Sequence, residues 1–161
     1  MTYTHFSWFA VVLCVLASGC GPESLPPETR LPRGYDDIML GDTFDPVGTG
    51  AKEITSTDGI RRFRVERVEN QPPVIIRLDD SGRVVGISWG QYVIDAGRRA
   101  AVMRQAKERF GQFLKEERET DSGKTMIFED ETTRYRLDFL NQEVRIAITD
   151  PAYDFGYGEA Q

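Results

Sequence analysis

The chemistry open to this 161-residue chain is bounded by its scarcest side chains: two cysteines, Cys14 and Cys20, and one histidine, His5. All three lie in the first twenty residues, so beyond Cys20 there is neither a thiol nor an imidazole. That excludes Ser-His or Cys-His nucleophilic catalysis and an ordinary Cys/His zinc site from the rest of the chain. Carboxylates remain, in the pairs Asp42 with Asp45 and Asp79 with Asp80, in Thr57-Asp58-Gly59, and in the run Glu129-Asp130-Glu131. None is framed by the motif a carboxylate enzyme would need. Asp79-Asp80 and Asp58-Gly59 fall where turns are expected, and Asp and Gly are favoured there for backbone reasons. No catalytic residue, metal site or cofactor is therefore expected. Arg61, Arg62, Arg64 and Arg67 could attract phosphate or lipid headgroups, but Glu66 and Glu69 are interleaved, and a solvated strand face is the better reading. The balance of 26 acids against 20 bases, a formal charge of −6, argues against a nucleic-acid partner.

Cys20 is the residue with the most specific surroundings. Phe6 to Ala17 is a charge-free run of twelve mostly apolar residues, followed by Ser18, Gly19 and Cys20. A bilayer core needs roughly 20 apolar residues to cross, whereas about 7–15 before a small-residue cleavage site fit a secretory signal. Leu16-Ala17-Ser18-Gly19-Cys20 resembles the lipobox of bacterial lipoproteins. The resemblance implies removal of residues 1–19, diacylglycerol on the Cys20 thiol and acylation of the new N-terminus. More than one acyl chain makes a stable anchor where a single chain is marginal. Gly21 follows, rather than the Asp that resembles an inner-membrane retention signal, so an outer-membrane lipoprotein facing the periplasm is expected where the source has an outer membrane.

Gly21 to Gly34, "GPESLPPETRLPRG", holds four prolines in fourteen residues and little apolar content. Residues 20–34 are thus expected to be the lipidated cysteine and an extended, semi-rigid tether at about 3.1 Å per residue. A segment packed along the domain surface is the alternative. Tyr35 to Gln161 leaves 127 residues, enough for one domain with a real core.

Within that domain, "VIIRLDDSGRVVGISW" places Val74, Ile76 and Leu78 on one face and Val85, Ile87 and Trp89 on the same face after a Ser81-Gly82 turn. Folding about the turn sets Leu78 against Val85, Ile76 against Ile87 and Val74 against Trp89. "TRYRLDFLNQEVRIAIT" repeats the pattern with Tyr135, Leu137 and Phe139 against Val144, Ile146 and Ile148 around Asn141. A helix is expected from an Asp95 N-cap, with Val102, Met103, Ala106 and Phe110 on its apolar side. It ends at Gly111 or runs on toward Glu117. Thr43 to Val47 offers only a turn, with Thr43 as its N-cap.

Gly48, Lys52, Glu53, Thr57 and Asp58 recur at an offset of 63 as Gly111, Lys115, Glu116, Thr120 and Asp121. Arg77, Leu78, Asp79, Val85 and Ile87 recur at an offset of 59 as Arg136, Leu137, Asp138, Val144 and Ile146. The expected fold class is α+β: an antiparallel β-meander sheet with one main amphipathic helix on one face, divisible into degenerate helix-plus-meander repeats at 35–94 and 95–161. The opening Ile38-Met39-Leu40-Gly41-Asp42-Thr43-Phe44 resembles the start of small helix-plus-meander lipoprotein domains, such as the SmpA-type outer-membrane assembly lipoproteins and the tandem β-lactamase-inhibitor-protein fold. That resemblance implies a non-catalytic, protein-binding role, with an envelope protein as partner and the membrane engaged through Cys20.

Aromatic residues are the candidates for partner binding. Trp89 closes a core-facing strand and is followed by Tyr92, while Tyr153, Phe155 and Tyr157 alternate in the C-terminal "DPAYDFGYGEAQ". Trp and Tyr are enriched at interface hot spots, yet the phase of Trp89 also fits the core, and the tail also reads as a last strand or a frayed end. A small-ligand or lipid-binding domain, and a carboxylate hydrolase acting on envelope polymers, are the competing readings.

Overall fold

The computed structural model describes residues 28–57, 59–66, 72–92, 95–121 and 123–153. Two short strands, β1 (Gly34–Tyr35) and β2 (Ile38–Met39), pair as a small hairpin. A first meander follows: β3 (Lys52–Thr57), β4 (Ile60–Val65), β5 (Val74–Leu78) and β6 (Val84–Tyr92). Helix α1 (Ala96–Phe110) and a 3₁₀ turn (Gly111–Phe113) lead into a second meander: β7 (Leu114–Thr120), β8 (Gly123–Glu129), β9 (Arg134–Leu140) and β10 (Glu143–Thr149). The two meanders join through their last strands into one antiparallel sheet of order β3-β4-β5-β6-β10-β9-β8-β7. The fold is α+β, as the residue pattern led us to expect.

Every second residue on each central strand faces one common core, because successive side chains of a strand point to opposite faces. One row across the sheet reads Phe63, Ile76, Ile87, Ile148, Tyr135 and Phe128, each opposite the next, and all six are buried. Both hairpins pair as expected at Val74 with Trp89, Ile76 with Ile87, and Val144, Ile146 and Ile148 with Phe139, Leu137 and Tyr135. Leu78 is the exception. An irregularity between Arg77 and Leu78 sets it opposite Val84 rather than Val85, and Val84 rather than Val85 joins the main core.

Two different covers lie on the core face. Asp95 caps α1 by accepting from Arg98 N at 2.7 Å. The helix buries Ala106 and Phe110, with Val102 and Met103 packed beside them. The Phe110 ring lies 5.9 Å from Phe128 and 5.4 Å from Tyr135. The helix ends at Phe110, and Gly111 keeps a right-handed conformation that starts the 3₁₀ turn, so residues 114–117, the alternative helix extension, are strand. The first meander is covered without a helix. Ile38, Leu40 and Phe44 come from the N-terminal segment, and Phe44 lies 6.4 Å from Phe63. Thr43 caps nothing there: it bridges Arg83, and Asp45 accepts from Val47 N instead.

Residues 28–34, expected to belong to an extended tether, are docked. Glu28 N donates to Arg109 O at 2.9 Å, Leu31 N donates to Asp130 Oδ2 at 3.0 Å, and the Leu31 side chain is only 2% exposed. Among the described residues, the docked part therefore includes Glu28 and Leu31 ahead of Tyr35. The offset of 63 fails at Glu53, which pairs with Phe63 while Glu116 pairs with Ile127 rather than Met126, but next to the turn it agrees with the register, since Thr57 pairs with Ile60 and Thr120 with Gly123. The offset of 59 does not. It would carry the pair Ile76 and Ile87 onto Tyr135 and Ile146, whereas Tyr135 pairs with Ile148. The slip is two residues, which leaves the same side chains facing the core. Its origin is the turns, five residues from Asp79 to Arg83 against Asn141 and Gln142 alone, a difference of three from which the irregularity at Arg77 and Leu78 takes back one.

Candidate functional site

Trp89 sits mid-sheet between Val74 and Ile146, half-buried on the core face, with its ring 4.2 Å from Tyr35. It packs against the N-terminal segment. Tyr92 ends β6 opposite Glu143, and its side chain lies outside the described residues. Tyr153 is at the other end of the sheet: its N donates to Asp150 O at 3.0 Å and its hydroxyl donates to Asp79 Oδ2 at 3.3 Å. Burial raises its pKa first, and the Asp79 charge adds to this. Seven strand residues, about 23 Å at 3.3 Å per residue, separate the Tyr92 end from Val85, whose carbonyl accepts from Asp150 N. Trp89, Tyr92 and Tyr153 thus do not converge, and Phe155, Tyr157 and Cys20 lie outside the described residues.

Asp79, Asp130 and Glu129 are occupied by turns and ion pairs. Asp79 Oδ1 accepts from Ser81 Oγ at 2.6 Å, Ser81 N at 2.9 Å and Arg83 N at 3.0 Å, tying the β5–β6 turn, in which Gly82 supplies a φ of +80°. The Ser81 hydroxyl, those backbone amides and the Arg83 charge hold the Asp79 carboxyl down at about 2. Asp130 accepts from Thr132 N and Thr133 N, each at 2.8 Å, as well as from Leu31 N. Burial pushes its pKa up, and these donors outweigh it, for a net lowering. Glu129 bridges Lys115 and Arg134, which likewise outweigh its desolvation. Among the described residues no group of three or more His, Cys, Asp or Glu is placed to hold a metal.

The arginines divide by strand phase. Arg61 points with Phe63 toward the core-side edge, 4.9 Å over that ring and 3.0 Å from Glu53. Arg62 and Arg64 point to the opposite face, Arg64 pairing with Glu66 at 2.7 Å. Arg67 and Glu69 lie outside the described residues. The three described arginines, Arg61, Arg62 and Arg64, therefore do not share one face. Arg62 stands directly opposite Arg77, which is 7% exposed and donates to Ser88 Oγ at 3.1 Å. Burial, then the Arg62 charge, pulls the Arg77 guanidinium down to about 10. On the same face Arg134, Arg136 and Arg145 pair with Glu129, Asp138 and Glu143 at 2.6, 2.9 and 3.3 Å. Alternation alone places Arg77 on this face; its burial needed the packing.

Among the described residues no helix is long and apolar enough to cross a membrane. Compared with known proteins, the chain matches no family model, no curated protein and no solved structure.

Proposed function

We propose that the protein is a lipid-anchored envelope lipoprotein whose α+β domain binds another protein and performs no catalysis. The sequence Leu16 to Cys20 carries the anchor: an apolar run too short to span, small residues, then a cysteine that becomes the first residue of the mature chain. The carboxylates support the non-catalytic reading. Each described carboxylate with a shifted pKa is shifted downward by turns or cations, as at Asp79, Glu117, Glu129 and Asp130. A general acid working near neutrality needs the reverse. The palindromic strand order and the shared two-residue register of the β3–β4 and β7–β8 turns support descent of the two meanders from one duplicated unit.

Two experiments test this. Metabolic labelling with a fatty-acid analogue marks the wild-type protein and not Cys20→Ala; equal labelling of both removes the anchor. In-cell cross-linking of the tagged protein then yields one dominant envelope partner, and no reproducible partner overturns the binding role.

A further inference from the structure

The N-terminal segment does more than cover the core. Glu28 is held three ways at the C-terminal end of α1: its N donates to Arg109 O at 2.9 Å, its O accepts from Gln112 Nε2 at 2.6 Å, and its carboxylate pairs with the Arg109 guanidinium. Three residues on, Leu31 is fixed by Asp130 and buried. These contacts all lie at one end of the sheet, the end bearing the β8–β9 turn, the β5–β6 turn and the exit of β10 at Asp150. The opposite end carries Asp95, Asp121 and the β9–β10 turn at Asn141 and Gln142. Six strand residues, roughly 20 Å along the strand, separate Arg134 from Leu140.

We infer that this clamp biases the orientation of the domain on its membrane: the Glu28 end stays on average the nearer to the bilayer and the Asn141 end the farther from it. The inference rests on the lipidation of Cys20 proposed above. Only Gly21 to Pro27 then separate the lipidated residue from Glu28. Eight residue steps reach at most about 29 Å, at about 3.6 Å each. The near end cannot move farther than that from the lipid surface, and a partner reaches the Asn141 end from the aqueous side.

The lipidated protein, purified from membranes and reconstituted into phosphatidylcholine vesicles carrying a headgroup-linked energy acceptor, tests this. Cys20 is blocked by lipid, so a single new cysteine takes the donor dye, at Glu131→Cys for the near end or Gln142→Cys for the far end; both sites are exposed. The clamp requires stronger donor quenching at 131 than at 142. It also requires loss of that difference when a long Gly-Ser segment is inserted after Pro27, and its reduction in an Arg109→Ala, Gln112→Ala double variant. Equal quenching at both sites, or a difference indifferent to the insertion, overturns it. The same comparison with Cys20→Ser and a hexahistidine tag on nickel-chelating vesicles separates the two ideas. A near–far difference there, in a protein that takes no fatty-acid label in cells, keeps the clamp and discards the lipoprotein.

Discussion

The two halves of the sheet bury the same kind of surface by different means. Over β8 and β9 the cover is periodic: α1 presents Val102, Met103, Ala106 and Phe110, and Phe110, Phe128 and Tyr135 interlock as a ring cluster. Over β4 to β6 the cover is an irregular segment that supplies single side chains, Ile38, Leu40 and Phe44, between turns. The irregular cover is less complete. Among the described residues, Met39, Val47 and Ile54 are the large apolar side chains left exposed in the N-terminal half, and Leu114 is the one left exposed in the other. A sheet face needs apolar area placed over it, and a helix is one way among several of delivering that area.

The halves can be broken separately. Phe110→Ala is expected to cost most, about 3–5 kcal/mol, since it removes a buried ring and leaves a cavity under α1; urea unfolding measures it, and a loss below about 1 kcal/mol would mean that α1 is not the essential cover. Leu31→Ala should cost about 2–5 kcal/mol by the same measurement. A negligible loss there would return residues 28–34 to the status of tether. Asp130→Ala removes the acceptor joining the N-terminal segment to the β8–β9 turn and should cost about 1–3 kcal/mol. Increased exchange of the Leu31 amide should accompany it.

Asp79 sharpens the comparison by pH. Its carboxyl sits at about 2 when folded against an ordinary 3.8. A lowered folded value means that its contribution is complete above about pH 4 and is lost as the pH falls toward about 2. Thermal melts should show that the Asp79→Asn variant is less stable at neutral pH but loses less on acidification through that window. The smallest effect is expected at Lys107→Ala. Its bond to Glu117, 2.8 Å long, joins α1 to β7 at the surface and should be worth no more than about 1 kcal/mol.

Much of the second half was legible residue by residue. Asp95, the i, i+4 spacing of Val102, Ala106 and Phe110, and the strict alternation from Tyr135 to Ile148 each specify a local period that one face of the core then rewards. The N-terminal cover was not legible. Leu31 stands alone between Arg30 and Pro32, and no period marks a single apolar residue as core. The bulge that exchanges Val84 for Val85 was hidden for a related reason, since both are valines and only the partner strand decides which one turns inward. Among the candidate site residues, the turn role of Asp79 was readable from its neighbours, whereas the packing of Trp89 on Tyr35 depends on a segment more than fifty residues away.

The sequence by itself determined the hairpins β5–β6 and β9–β10, the helix and its cap, the absence of thiol and imidazole beyond Cys20, and the lipobox-like run before it, because each is a pattern within a few neighbouring residues. Only the tertiary structure decided that β6 pairs with β10, that Arg77 is buried opposite Arg62, and that the chain is clamped from Glu28 onward. Those depend on contacts between residues far apart in the chain, and their stability comes from burial and hydrogen bonds that exist only once both partners are in place.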